Sequence, residues 1–169
     1  MDTGDVVEDE LADFVRSRYP ALLRRAFLLT GDHGYAEDLV QDSLAKLWLA
    51  SARREVTNPD AYLRRVMVHG SISRWRGRRP WDVVAAMEGK EHHVPEPTAE
   101  VDEHDYLWRG IMTLPTRQRA ILVLRYYEDL TEAEICDALS ISAGTVRSQT
   151  SKARQKLRLL IAQTEEVSS

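Results

Sequence analysis

Within about two helical turns the chain places Thr145, Arg147, Ser148, Gln149 and Lys152, all able to hydrogen-bond to the edge of a base. An arginine can bridge O6 and N7 of guanine, a glutamine N6 and N7 of adenine, and a serine or threonine either a base edge or a phosphate. Arg154, Lys156 and Arg158 continue the stripe with no acid between them, and phosphate contact is their simplest role. Such a set needs a scaffold that turns it toward a duplex, and the preceding residues supply one. Thr131 and Glu134 have capping-box spacing, which starts a short helix with the apolar face Ile135, Ala138 and Leu139. Ser140 and Ser142 break the period after three to four residues of turn, and Ser142 can cap a new helix at Ala143. On that second helix Val146, Ala153 and Leu157 form the inward stripe, leaving the polar residues on the open side. The segment predicts a helix-turn-helix with DNA as its partner. An amphipathic hairpin with a solvated basic face would share some of these features, but not all of them together.

The elements that carry this hairpin are helical throughout. Glu10 to Thr30 has helical periodicity through Leu11, Phe14, Val15, Leu22, Leu23 and Phe27, with a bend expected near Pro20, and Gly31 ends it. Asp32 caps a second helix, Tyr35 to about Ala50, whose apolar positions are Ala36, Leu39, Val40, Leu44, Leu47 and Trp48. Asn58 and Pro59 are a favourable N-cap and first-turn pair for a third helix, running to about Arg76. Leu114 to Tyr127 reads as a buried helix. No segment sustains strand alternation, so the expected fold is all-α.

Charge divides the chain. The formal net charge of −4 is unpromising for a DNA binder, but distribution matters more than the sum. Arg64, Arg65, Arg74, Arg76, Arg78 and Arg79 occur with no acid among them, whereas Glu88, Glu91, Glu96, Glu100, Asp102, Glu103 and Asp105 surround only Lys90. Pro95 and Pro97 interrupt that acidic stretch, which reads as a flexible tether. Two small helical domains are therefore expected, 10–79 and 106–163, joined by an acidic linker over 80–105. Fully extended, the linker spans on the order of 85 Å at about 3.3 Å per residue, about two and a half duplex turns of roughly 34 Å. One chain could then read two separate DNA elements.

Other classes fit poorly. No apolar run approaches the length of a membrane span, and the acidic start opposes a secretory leader, so a cytoplasmic protein is expected. Cys136, the single cysteine, reads as a small packing residue. His92, His93 and His104 make no zinc pattern with it, and no metal or cofactor is assigned. Without a phosphate loop, nucleophile elbow or catalytic His and carboxylate grouping, the chain is not expected to be an enzyme.

Taken in order, these fragments resemble the extracytoplasmic-function (ECF) group of RNA polymerase sigma factors. AEDLVQDSLAKLW (36–48) is similar to the family's polymerase-binding helix, and NPDAYLRRVMVHGSISRWRGRR (58–79) to its −10 recognition and melting segment. LPTRQRAILVLRYYEDLTEAEI (114–135) with SAGTVRSQTSKARQKLR (142–158) resembles its −35-binding domain. The resemblance implies that Asp38, Leu39, Gln41 and Asp42 dock on the β′ clamp helices of core RNA polymerase, whose β flap is a further contact of the protein. It implies that Arg64, Arg65, His69, Ser73, Arg74, Trp75 and Arg76 act on −10 DNA, combining phosphate contacts with a ring able to stack on an unpaired base. Thr145, Arg147, Ser148, Gln149, Lys152 and Arg154 would then read the −35 duplex. Residues 51–60 resemble the segment that captures a flipped promoter base. An anti-sigma factor is a further partner of such proteins, and the free chain is expected to be a monomer.

The chain departs from the family pattern at His69, where Asn is frequent, at Ser140, where Gly is usual in the turn, and at Gln149, where Arg is common. The turn at Ser140 is expected to avoid a strongly positive φ. Two other readings share the hairpin. A one-component regulator with an N-terminal helical sensor would bind an operator as a dimer, and a helical adaptor would bind protein alone. The first does not explain the arginine-rich third helix, and the second predicts no DNA affinity.

Overall fold

The computed structural model describes residues 3–76 and 107–167, with side chains described for 9–73 and 107–163. The acidic linker of 80–105 lies outside the described residues, as do the side chains of Arg74, Trp75 and Arg76. Among the described residues every regular element is a helix.

Helix α1, Thr3–Thr30, starts earlier than its apolar period suggests. Pro20 sits inside the helix on its exposed side, so the carbonyl deprived of an amide partner faces water and the helix continues. Gly31 ends it with φ 72°, its N–H donating to the Phe27 carbonyl at 2.7 Å. Asp32 Oδ1 accepts from the Tyr35 N–H at 2.9 Å and opens α2, His33–Ala52. Asn58 Oδ1 accepts from the Ala61 N–H at 3.1 Å and opens α3, Pro59–Arg76. Leu22, Leu29, Leu47, Leu63 and Met67 are fully buried between these three helices and their neighbours. At Gly70 an added Cβ would stand 2.8 Å from Leu39 Cδ1, so α2 and α3 pack closely there.

The second group begins with a helical segment, α4, over residues 107–113. Helix α5, Thr116–Leu122, follows and continues as a π-helical turn over Val123–Tyr127, closed by the Glu128 N–H on the Val123 carbonyl at 3.0 Å. Helices α6, Glu132–Leu139, and α7, Ala143–Val167, complete the chain. Leu114, Leu122 and Ala153 form a small cluster with Leu157 where α7 crosses α5.

In this structure the two groups lie against each other. Leu22, Leu29, Leu63 and Met67 share one continuous core with Ile121, Leu124, Ile135 and Val146, and α1 and α3 pack against α5 and α6. Buried Arg119 crosses the seam, donating to the carbonyls of Leu29 at 3.1 Å, Met112 at 2.9 Å and Leu114 at 3.3 Å. Burial pushes its pKa down to about 10, so it stays charged at neutral pH. Phe27 stacks between His33 and Trp108, with ring centroids 4.4 and 5.2 Å away. Gly31 lies beneath Met112, and a Cβ there would overlap its sulfur.

Candidate nucleic-acid interface

The helix-turn-helix is assembled by short-range hydrogen bonds. Glu134 N–H donates to Thr131 Oγ1 at 3.3 Å, and Thr131 N–H donates to Glu134 Oε2 at 2.7 Å, which completes the capping box. Those Thr131 donors hold the Glu134 carboxyl below the usual carboxylate range. The turn departs from the expected conformation: Ser140 is left-handed, φ 54° and ψ 47°. Its reward is the C-cap, since Ser140 N–H and Ile141 N–H both reach the Cys136 carbonyl, the latter at 3.2 Å. Ser142 Oγ then accepts from the Thr145 N–H at 3.2 Å and starts α7.

On α7, Val146 and Ala153 are fully buried as the apolar spacing requires. Thr150 joins them, its hydroxyl satisfied by the Val146 carbonyl at 2.7 Å. Arg147, Ser148, Lys152 and Arg154 are exposed, with Ser148 and Lys152 most nearly opposite that buried stripe. Thr145 is half-buried with its hydroxyl 2.9 Å from that of Ser142. Gln149 was expected on the open side but is half-buried, accepting from Gln118 Nε2 at 3.1 Å. That bond leaves its amide N–H pair for any base contact. Arg147 is held by Glu132 through Nε at 3.1 and 3.0 Å and Nη2 at 2.8 Å.

The arginine-rich helix α3 lies beside this hairpin and is partly engaged by it. Half-buried Arg64 donates to Asp60 Oδ2 at 3.1 Å and Glu128 Oε2 at 3.4 Å. Arg65 Nη2 donates to Ser140 Oγ at 3.2 Å. His69 is half-buried against α6, and burial first, then Arg65 and Arg117, push its pKa below the ordinary value, while a hydrogen bond to the Ala138 backbone opposes them. Ser73 is exposed.

A third surface lies on α2. Asp38, Gln41 and Asp42 are exposed on one side. Leu39, grouped with them from sequence, is buried at 3% exposure under Gly70; it supports that face from within and cannot itself meet a partner. Trp48, an apolar position of the helical period, is 42% exposed beside Leu49 at 61%, and both continue the side carrying Asp38, Gln41 and Asp42 by helical spacing. Sequence reasoning also missed Arg25, Glu128 and Glu132, whose partners lie far away along the chain or on a different helix. Among the described residues no group of three His, Cys, Asp or Glu side chains could hold a metal, and no helix is long and apolar enough to cross a membrane.

Comparison with known proteins fits both halves of this arrangement. Residues 14–80 match the family described as sigma-70 region 2, and residues 104–157 match sigma-70, region 4. The RNA polymerase sigma-E factor of Streptomyces coelicolor is 35% identical over 158 residues, covering 92% of this chain and 86% of that protein. The chain belongs to the sigma-70 family of RNA polymerase sigma factors. Among ECF sigma factors, SigW of Bacillus subtilis is 24% identical over 89% of this sigma factor and 88% of its own length. The solved sigma factor RpoE of Bartonella quintana, in complex with the anti-sigma factor NepR, superposes with a TM-score of 0.65 at 27% identity, covering 89% of this chain and 97% of that one. CnrH in complex with the cytosolic domain of CnrY has the same fold, with a TM-score of 0.61 at 21% identity over 92% and 89% of the two chains. The sigma factor described here is thus an ECF sigma factor with the family's two helical units.

Proposed function

We propose that this sigma factor docks on core RNA polymerase through Asp38, Gln41, Asp42 and the exposed Trp48 and Leu49. On the polymerase it reads a −35 element with α7 and opens a −10 element with α3. The observation that carries this reading is the co-existence, on one chain, of a capped helix-turn-helix with Arg147, Ser148, Lys152 and Arg154 outward and a second basic helix, α3. A lone operator-binding hairpin needs no such second helix. The functional units are 10–79 and 106–163, with 80–105 between them. Phosphodiester chemistry belongs to the polymerase, and this sigma factor contributes promoter recognition and −10 opening, in the cytoplasm where the polymerase works. An anti-sigma factor is a further partner, as NepR is for the Bartonella protein.

The apposition of the two groups bears on this mechanism. Arg64, Arg65 and His69, three of the residues assigned to the −10 element, face the second group through Glu128, Ser140 and Ala138. A phosphate competing for Arg64 or Arg65 must displace those partners. Promoter engagement therefore goes with parting of the seam, and free protein binds promoter DNA weakly. Footprinting tests the reading: protection of two elements is expected only when this chain and core polymerase are both present. Protection of a single palindromic site by the chain alone would favour the one-component regulator.

A further inference from the structure

Arg147 is the exposed arginine nearest the start of the recognition helix, its side chain 70% accessible, yet it is not a loose surface cation. Glu132, the first residue of α6, accepts from its Nε and from one Nη2 hydrogen. Those contacts use the side-on fork of the guanidinium. A guanidinium has five N–H donors, so the end-on fork made by Nη1 and the second Nη2 hydrogen remains, and this fork can meet O6 and N7 of one guanine. The carboxylate and a base can thus hold opposite edges of one planar group at the same time.

Glu132 is suited to the task by its position. It occupies the first turn of α6, where the helix dipole favours a carboxylate. The fold's own capping box is made by Thr131 and Glu134, and Glu132 takes no part in it. Its carboxyl lies below the usual range, first because of the hydrogen bond from Arg147 and then through the charges of Arg147 and Arg125. An arginine without this brace would sample many rotamers and settle on phosphates, which carry no sequence information.

We propose that Glu132 is a positioning residue that orients Arg147 and thereby sets base preference at one base pair of the −35 element. The inference rests on the reading of α7 as the −35 helix. It predicts a division of effect: losing Glu132 abolishes discrimination at that base pair and leaves sequence-independent affinity intact or higher, because a negative charge has left the DNA-facing side.

The test uses holoenzyme reconstituted with this chain and a promoter set carrying each of the four base pairs at every −35 position, with relative transcription as the readout. Glu132→Gln should lower the preference by about fivefold or more, the lower end of what a bidentate guanine contact supplies, at one position only. Arg147→Ala should flatten that same position, and adding Glu132→Gln to Arg147→Ala should change nothing further. Glu132→Asp, which keeps the charge, should restore part of the preference. If Arg147→Ala removes the preference while Glu132→Gln retains it, the positioning role is overturned and the reading of α7 stands. If Glu132→Gln weakens all promoters equally, its role is structural and the inference fails. If Arg147→Ala alters no base preference, both fall.

Discussion

Arg25 on α1 and Glu128 at the end of the π-helical turn form a two-point ion pair across 103 residues of sequence, Nε on Oε1 and Nη2 on Oε2, the latter at 3.0 Å. Both side chains are below 10% exposure, and Glu128 also receives Arg64 while Arg25 lies 3.6 Å from Asp60. A carboxylate this buried and this thoroughly paired joins the region 2 half of the chain to the helix-turn-helix half.

Glu128→Gln keeps one acceptor oxygen but removes the negative charge facing buried Arg25, leaving the longer contact to Asp60 as its remaining ion pair. Removing one partner of a buried pair costs about 3 kcal/mol or more, and here the loss falls on the seam. The variant should melt earlier, and its radius of gyration by small-angle scattering should rise as the groups part. An unchanged radius would show that the apolar seam alone holds them.

Gly31 is fixed by two independent demands, a left-handed φ of 72° and the overlap any Cβ would make with Met112. Gly31→Ala should lower stability by more than the roughly 1 kcal/mol of left-handed strain alone. Adding Met112→Ala should remove the steric part of that excess, apart from its own cavity cost. Urea denaturation of the single and double variants measures the division.

His69 makes the apposition sensitive to acid. Burial against α6 and the charge of Arg117 lower its pKa when the seam is closed, while Arg65, one turn away on the same helix, acts in both forms. The closed form therefore binds fewer protons than the open one. Its stability is at full strength above the ordinary histidine value of about 6.5 and falls as pH drops through the window between that value and the lowered one. Scattering or limited proteolysis between about pH 7.5 and 5.5 should show opening in the native protein that is reduced in His69→Asn.

Trp48→Ala should weaken assembly with core polymerase by about 30-fold, the scale of an aromatic hot spot of roughly 2 kcal/mol. Because Trp48 is 42% exposed in the free protein, its melting temperature should barely change. A large drop in melting temperature with unchanged assembly would return Trp48 to the core.

What was legible in the sequence follows from the range of the interactions. Asp32, Asn58, Thr131 with Glu134, and Ser142 announced helix starts because a cap acts over three residues. The hairpin and its outward Arg147 followed from the same local rules. Ser140 was read less well: its φ of 54° is tolerated because two N–H groups are satisfied on Cys136, which a steric rule about side chains omits. Trp48 shows the limit of periodicity, which marks apolar positions but not whether a neighbouring helix covers them, whereas Leu39 is buried as its period implies and joins the docking group only through the family resemblance. Arg25, Glu128 and Arg119 were invisible for another reason. Each is a charge whose partner is set by the packing of distant helices, so a one-dimensional pattern shows only three ordinary polar residues.

The measurement that bears most directly on the central claim is run-off transcription with purified bacterial core polymerase on a genomic fragment library, with and without this chain. Discrete start sites that depend on the chain, preceded by shared −35 and −10 sequences, are the predicted result. Binding of the chain to DNA in the absence of core, with no new start sites in its presence, would contradict the assignment of Arg147 and the α3 arginines to promoter recognition on the polymerase.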